Sequence, residues 1–359
     1  MLALRLARGS RPLVQLRRLL VAAASAGTGF LLLYVLVGAV VQPAGSFPRL
    51  LWTLVPVAAT VQFAVAVART DPATRPREGL DAAGLGPVRL TLVAAVSTAI
   101  AATLGSALAL AAFLHLRGDL TGLPFDGAGA ELLHADQPLP LAGALTLLAL
   151  VPLVSSAATV LALRPRPPRP PAPQSGVPWG VALTACGLAV EVYAGRGSAG
   201  MLAGWTLTAI GLALAGPGLA YACGTLVQAV RPGALRLLAG RALQEEAPRL
   251  GPPLGVLCAV GAGAITALAL RDRGGLLLPL GPLTAMAAAL VAACAAATLL
   301  TSAVEARQAR RAARETLLDL GAPAKVLRTA VSLRATALAA VCVPLSWGVA
   351  QLTSLALTR

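Results

Sequence analysis

Two short charged stretches carry the residue types and spacing best suited to chemistry in this chain. Arg77-Glu78-x-Leu80-x-x-x-Gly84 recurs as Arg314-Glu315-x-Leu317-x-x-x-Gly321, displaced by 237 positions, and Leu90 then matches Leu327. The chemistry on offer is non-covalent. Charged and apolar residues share each stretch, and the glycine stands where a helix would end. In the second stretch Ala313, Leu317 and Leu320 form one apolar stripe at helical spacing, opposite Arg307, Arg311 and Arg314. Gly321 stands where a C-terminal cap is expected and Pro323 blocks continuation; Gly84 and Pro87 repeat that breaker chemistry. Residues 305–321 are thus expected as one helix, able to lie on a membrane surface or to dock into a partner's groove. The blander use of the same arginines is snorkelling to lipid headgroups.

Covalent and metal chemistry find fewer footholds. No Ser/His/Asp set, paired catalytic carboxylates or His-Glu-x-x-His falls on a common face, so no catalytic residue is assigned. A phosphate-binding loop needs Gly-x-x-x-x-Gly-Lys-Ser/Thr. The only lysine, Lys325, sits in Ala-Pro-Ala-Lys-Val-Leu, so the chain holds no such loop and no nucleotide cofactor of its own. Both histidines, His115 and His134, share the segment 115–138 with Asp119, Asp126, Glu131 and Asp136. Their spacing matches no compact metal motif, and no metal site is assigned. The five cysteines are spread one per hydrophobic segment and read as small apolar fillers. Glu191 and Arg334 are the charges that fall near the ends of apolar segments, close enough to snorkel out.

The elements that must position these residues are membrane helices. Hydrophobic residues make up 57% and charged residues 12% of the chain, against roughly 45–50% and about 25% in soluble domains. Uncharged runs long enough to span occur at Leu19–Val41, Leu50–Ala68, Leu90–Leu114, Leu139–Leu163, Ala199–Val230, Gly251–Leu270 and Leu276–Val304. Val177–Ala194 and Val331–Leu357 complete an expected set of nine, the fifth being the weakest. The first run exceeds a cleavable signal core and is read as a retained helix. With the amino terminus inside, 22 basic residues fall on inner segments, six on outer ones, and Arg334 in a helix. That is the positive-inside pattern, so the net charge of +15 is topological and implies a lipid bilayer rather than nucleic acid as partner. The expectation is an all-α polytopic protein of the plasma (inner) membrane, amino terminus in and carboxyl terminus out.

Leu2-Ala3-x-Arg5 also matches Leu238-Ala239-x-Arg241, displaced by 236. Nearly equal displacements at two distant places point to a duplicated module. Four helices would form the first copy, 1–163, and a Pro/Arg-rich extended linker the stretch 164–177. Two linking helices would fill 178–230, and a second copy of three helices, lacking the last, 231–359. Gly216-Pro217-Gly218 should bend the second linking helix. Gly176/Gly180, Gly200/Gly204 and Gly251/Gly255 fit close helix packing.

A cytoplasmic Arg-Glu-x-Leu-x-x-x-Gly turn between the second and third helices of a four-helix repeat resembles the FtsX-like (MacB/LolC-type) permeases. Those are membrane subunits of one class of ABC transporters and mechanotransmitters. The stretch from Glu315 to Arg328 follows the family's turn closely, and Arg77 to Gly84 is a degenerate version. The resemblance implies that both loops are coupling helices seated on a cytoplasmic ABC ATPase, a separate polypeptide in two copies. Arg77, Glu78, Leu80 and Gly84 would dock the first copy, and Arg314, Glu315, Leu317 and Gly321 the second. It implies movement of a hydrophobic or amphiphilic substrate, or mechanical signalling, driven by ATP bound to the partner. The family's large outer domains have no room between Gln42 and Arg49 or between Arg271 and Gly274. That departure favours the alternative, a non-transporting scaffold or regulator derived from a permease. A proton-coupled carrier would need buried acids, of which Glu191 alone is available.

Overall fold

The computed structural model describes residues 12–43, 46–71, 87–120, 124–164, 176–193, 198–229, 233–272, 282–319, 321 and 323–358. Described elements in chain order are α1 (Pro12–Val41), α2 (Ser46–Thr70), α3 (Pro87–Arg117), α4 (Leu141–Leu163) and α5 (Gly176–Tyr193). Then come α6 (Ser198–Ala229), α7 (Ala234–Asp272), α8 (Pro282–Ala309), α9 (Arg311–Asp319) and α10 (Ala324–Thr358). All regular structure among the described residues is helical. Eight of these helices are long and apolar enough to cross a membrane, and Val177–Tyr193 is a shorter apolar helix. The chain is a multi-pass membrane protein.

Side-chain size decides which face of each helix meets lipid. On α3, Leu92, Val96, Ile100, Leu104 and Leu108 form an exposed stripe at four-residue spacing, while Ala94, Thr98, Ala102, Ser106 and Ala109 are buried. Lipid tails are as apolar as leucine, so large residues gain nothing by leaving them, and small residues let backbones approach. An exposed leucine stripe of this kind would be unstable against water.

The chain divides into two compact units: 1–167 with 281–294, and 168–280 with 295–359. The first thirteen residues of α8 therefore belong to unit 1 and the rest to unit 2.

In unit 1, α1 packs against α3, and α4 lies on both. Gly29 sets the spacing: a Cβ there would fall 2.9 Å from both Ala109 and Leu148. Around it Leu33, Val37, Phe113, Leu133, Ala144 and Leu148 form the core, with Phe30 meeting Phe113 edge-on at 5.5 Å. Thr28 on α1 and Thr60 on α2 share a buried hydrogen bond of 2.7 Å.

In unit 2, glycines seven residues apart join α5 to α6 in antiparallel register. A Cβ on Gly180 would fall 2.6 Å from the Ala215 amide, one on Gly187 2.6 Å from that of Thr208, and one on Gly211 2.5 Å from that of Thr184. The other face of α6 meets α7 in the same way, Gly216 and Pro217 against Gly251, and Leu212 and Ala213 against Gly255. The close packing expected at Gly180, Gly204, Gly251 and Gly255 is realised.

The chain departs from expectation at α7. The charged stretch from Arg236 to Arg249 and the apolar span beyond it form one 39-residue helix running through Pro248, Pro252 and Pro253. Each proline removes an amide donor and costs an isolated helix about 3 kcal/mol. The surrounding Ala, Leu, Gln and Glu favour helix, and the proline segment is seated against α6 at Gly251 and Gly255. At about 58 Å, α7 is nearly twice the hydrocarbon thickness. One end, carrying Arg236, Arg241, Glu245, Glu246 and Arg249, must project beyond the apolar layer.

Gly187→Ala is expected to destabilise the protein by about 1–3 kcal/mol, because the methyl group would strike α6 backbone at Thr208 and Gly204 as well as the Thr208 hydroxyl. Gly263→Ala, with nothing within 4 Å, should be neutral or slightly stabilising. Thermal unfolding of both variants in the same micelle checks the contrast.

Candidate functional site

The second charged stretch forms an elbow between α8 and α10. The single helix expected over 305–321 is broken: α8 ends at Ala309, Arg310 makes a turn, and α9 begins at Arg311. The turn coincides with an anchored side chain, that of Arg310. Its guanidinium donates to the Ala242 carbonyl at 3.0 Å and lies 3.2 Å from Glu245 and 3.3 Å from Glu246, all on α7. Beyond this anchor α9 is short and sharply two-faced, with Arg311, Glu315, Leu318 and Asp319 exposed. Its end follows expectation: Gly321 has φ +86 and its amide donates to the Leu318 carbonyl at 2.9 Å. That left-handed conformation is one that glycine adopts without strain.

Of the expected docking residues, Glu315 is exposed on α9 and Gly321 is exposed at its end. Arg314 and Leu317 lie within α9, with their side chains outside the described residues. Arg77, Glu78, Leu80 and Gly84 all lie outside the described residues.

Arg334 is held by a partner on α7. Its Nη1 lies 3.5 Å from Glu246 and its Nε donates to the Ala330 carbonyl at 3.3 Å, with the side chain 16% exposed. Glu246 thus stands between Arg310 and Arg334 and joins α7 both to the elbow and to α10. Arg249 and Glu305 add a longer pair, at 3.7 Å, between α7 and the end of α8. In a poorly hydrated setting an arginine is held where a carboxylate can face it. Glu245 and Glu246 were overlooked as candidates; adjacent acids inside an otherwise basic segment were the available signal.

Unit 1 carries a second organised polar site at the far end of α3. Arg117, nearly buried, pairs with Asp119 at 3.2 Å and donates to the carbonyls of Ala135 and Gln137. Gly118 and Gly127, with φ +89 and +71, turn the chain back so that the Gly127 and Gly129 amides reach the His115 and Leu116 carbonyls. Leu133 then drops into the core beside Phe113. His115 bonds the Pro124 carbonyl at 3.0 Å and lies 3.8 Å from Asp126. Among the described residues no group of three or more His, Cys, Asp or Glu is placed to hold a metal ion.

Glu191 departs from expectation. It is 1% exposed rather than extended toward the surface, and accepts a hydrogen bond from the Thr208 hydroxyl at 3.2 Å. The Cys258 thiol donates to the Cys342 carbonyl at 3.8 Å. No protein-family model, curated protein or solved structure matches the chain.

Arg310→Gln should weaken the elbow's hold on α7 by about 1 kcal/mol, as expected for a part-exposed charge network. Amide exchange across 311–319 should quicken while the middle of α7 is unchanged, and a double-mutant cycle with Glu246→Gln should reveal coupling. Arg117→Gln should expose 118–140 to protease without lowering the yield of folded protein, because the remainder of unit 1 keeps its core.

Proposed function

We propose that this chain is the membrane subunit of an ABC-type transporter or mechanotransmitter, a compact relative of the FtsX-like permeases in the plasma membrane. A separate cytoplasmic ATPase, bound as a dimer, would close beneath the two charged elbows. The helix carrying α5 would be the ninth span, with the amino terminus inside and the carboxyl terminus outside. The cargo would be hydrophobic or amphiphilic.

The observation that carries this reading is the Arg310 latch. A lever needs a face to grip and a rigid attachment. The α9 elbow has an exposed two-faced helix, and Arg310 and Glu246 tie it to α7 and α10. Force applied to α9 would therefore reach two long helices rather than a slack loop.

The proposed duplication draws support from helix register inside each unit. In unit 1, Gly105 of α3 lies against the Ala22 carbonyl of α1. In unit 2, Cys258 of α7 meets Cys342 of α10. Ala22 and Cys258 are 236 positions apart, Gly105 and Cys342 237, the same displacements that relate the chain start and the charged stretches. The first-to-third helix contact is thus equivalent in both proposed copies, 1–163 and 231–359. An antiparallel helix lies on that pair in each unit, α4 inserting Leu148 and α6 inserting Leu212. On this reading one of the linking helices of 178–230 serves as the fourth helix that the second copy lacks.

One observation favours the second reading, a non-transporting scaffold. α1 ends at Val41 and α2 starts at Ser46, leaving no outer domain between them for capturing a substrate. Affinity purification of the full chain from its native membrane, followed by ATPase assay, separates the cases. A permease subunit should retain an ABC ATPase, and exchanging Arg314 and Glu315 should cut retention at least about ten-fold, the effect of 1.4 kcal/mol. Retention with hydrolysis that moves no amphiphile across vesicles would favour the scaffold. No ATPase, and no effect of the exchange, would remove the transporter reading.

A further inference from the structure

We propose that Glu191 is a proton-binding site, holding an exchangeable proton on its carboxyl group between α5, α6 and α10. The site is separate from the charged elbow and lies where the two linking helices meet α10.

The geometry shows a closely packed carboxyl group with hydroxyl neighbours and, among the described residues, no cation facing it. Glu191 lies near the end of α5, nine-tenths or more buried, against Gly204 of α6. A Cβ on Gly204 would fall 2.5 Å from Glu191 Cγ, so only glycine there leaves space for the acid. The Thr208 hydroxyl donates to Oε1 at 3.2 Å, and the buried Thr353 side chain of α10 stands beside the same carboxyl group. Oε2 is buried with no hydrogen-bond partner among the described residues.

Among the described residues the surroundings offer no compensating charge. Facing Glu191 are Gly204 and Thr208 on α6 and Thr353 on α10, none of them titratable near neutrality. The titratable residues of α6 are Tyr221 and Cys223, and those of α10 are Lys325, Arg328, Arg334 and Cys342. Each is more than ten residues along its helix from the contact, roughly 15 Å or more. On α5 itself, Cys186 and Tyr193 are exposed. Arg196 and Arg359 lie outside the described residues. A bare carboxylate without a counter-ion is among the least tolerable groups in such a medium. A proton on Oε2 removes the charge, leaves Oε1 to accept from Thr208, and turns the orphaned oxygen into a donor. Loss of the proton must admit water or a cation, which the glycine-tight contact between α5 and α6 has no space to hold. Proton binding and closure of α5 on its neighbours are therefore linked.

Infrared spectroscopy of the full chain in lipid vesicles tests this directly, because a protonated carboxylic acid has a carbonyl stretch distinct from carboxylate and amide bands. At neutral pH the wild type should show that band, shifted by deuterium exchange, lost in Glu191→Gln and fading as the pH is raised. Glu191→Gln, which mimics the protonated acid in shape, should fold and resist heat like the wild type. A hydrophobic carbodiimide, which adds across its C=N bond only to a protonated acid, should modify Glu191 and leave Glu191→Gln unmodified at that position. Wild-type and Glu191→Gln spectra that coincide in the acid region would overturn the proposal. So would a band abolished by sodium at constant pH, which would make this a cation site. Neither result depends on whether an ATPase binds the elbow.

Discussion

Helices in this protein meet backbone to backbone, and glycine is what permits it. Lipid supplies no hydrophobic force to drive one apolar helix onto another, so association rests on close van der Waals contact and on polar groups that lipid cannot satisfy. The α5–α6 and α6–α7 contacts place glycine where any other residue would strike a neighbouring main chain. Everything of chemical interest in unit 2 depends on that spacing. It brings Glu191 onto Thr208, and it seats the proline-bearing part of α7 against α6, giving the helix that carries Glu245 and Glu246 a firm base.

Many polar groups inside the helical layers are answered locally or by a specific partner. Thr98, Thr159 and Thr266 return their hydroxyl protons to carbonyls four residues earlier on their own helices. Thr28 and Thr60 answer each other across two helices. Arg18 meets Asp71 at 2.6 Å, and Arg117 is enclosed by Asp119 and two carbonyls. A missing partner costs far more in lipid than in water, so such pairings are conditions of folding as well as embellishments of it. Ser25, Ser155 and Trp205 each leave a buried polar atom without a partner among the described residues, and so does Glu191, the one carboxyl group among them.

The elbow at Arg310 shows how a local conflict can create a mechanical element. Residues 305–319 are good helix formers throughout and by themselves would continue α8 without interruption. The break falls at Arg310, whose side chain faces the acidic pair on α7, and α9 follows as a separate short helix. A straight helix would present no lever. The proposed coupling role thus rests on a tertiary ion pair at the point where the helix is interrupted.

Much of the architecture was legible in the residues alone. Apolar runs located the long helices, because covering one hydrocarbon thickness requires a fixed length of uncharged chain. Gly321 announced the end of α9, since a glycine followed by proline has few other uses at a helix end. The glycine pairs announced close contacts. What escaped was every feature that depends on which way a helix is rotated: the partners of Arg310 and Arg334, 65 to 88 positions away in the chain, and the burial of Glu191. The enclosure of Arg117 and the uninterrupted run of α7 through three prolines escaped too, because both depend on contacts made only after folding. Hydropathy and spacing are properties of neighbouring residues along the chain, whereas the pairing of charges is settled by faces that meet only once the helices have packed.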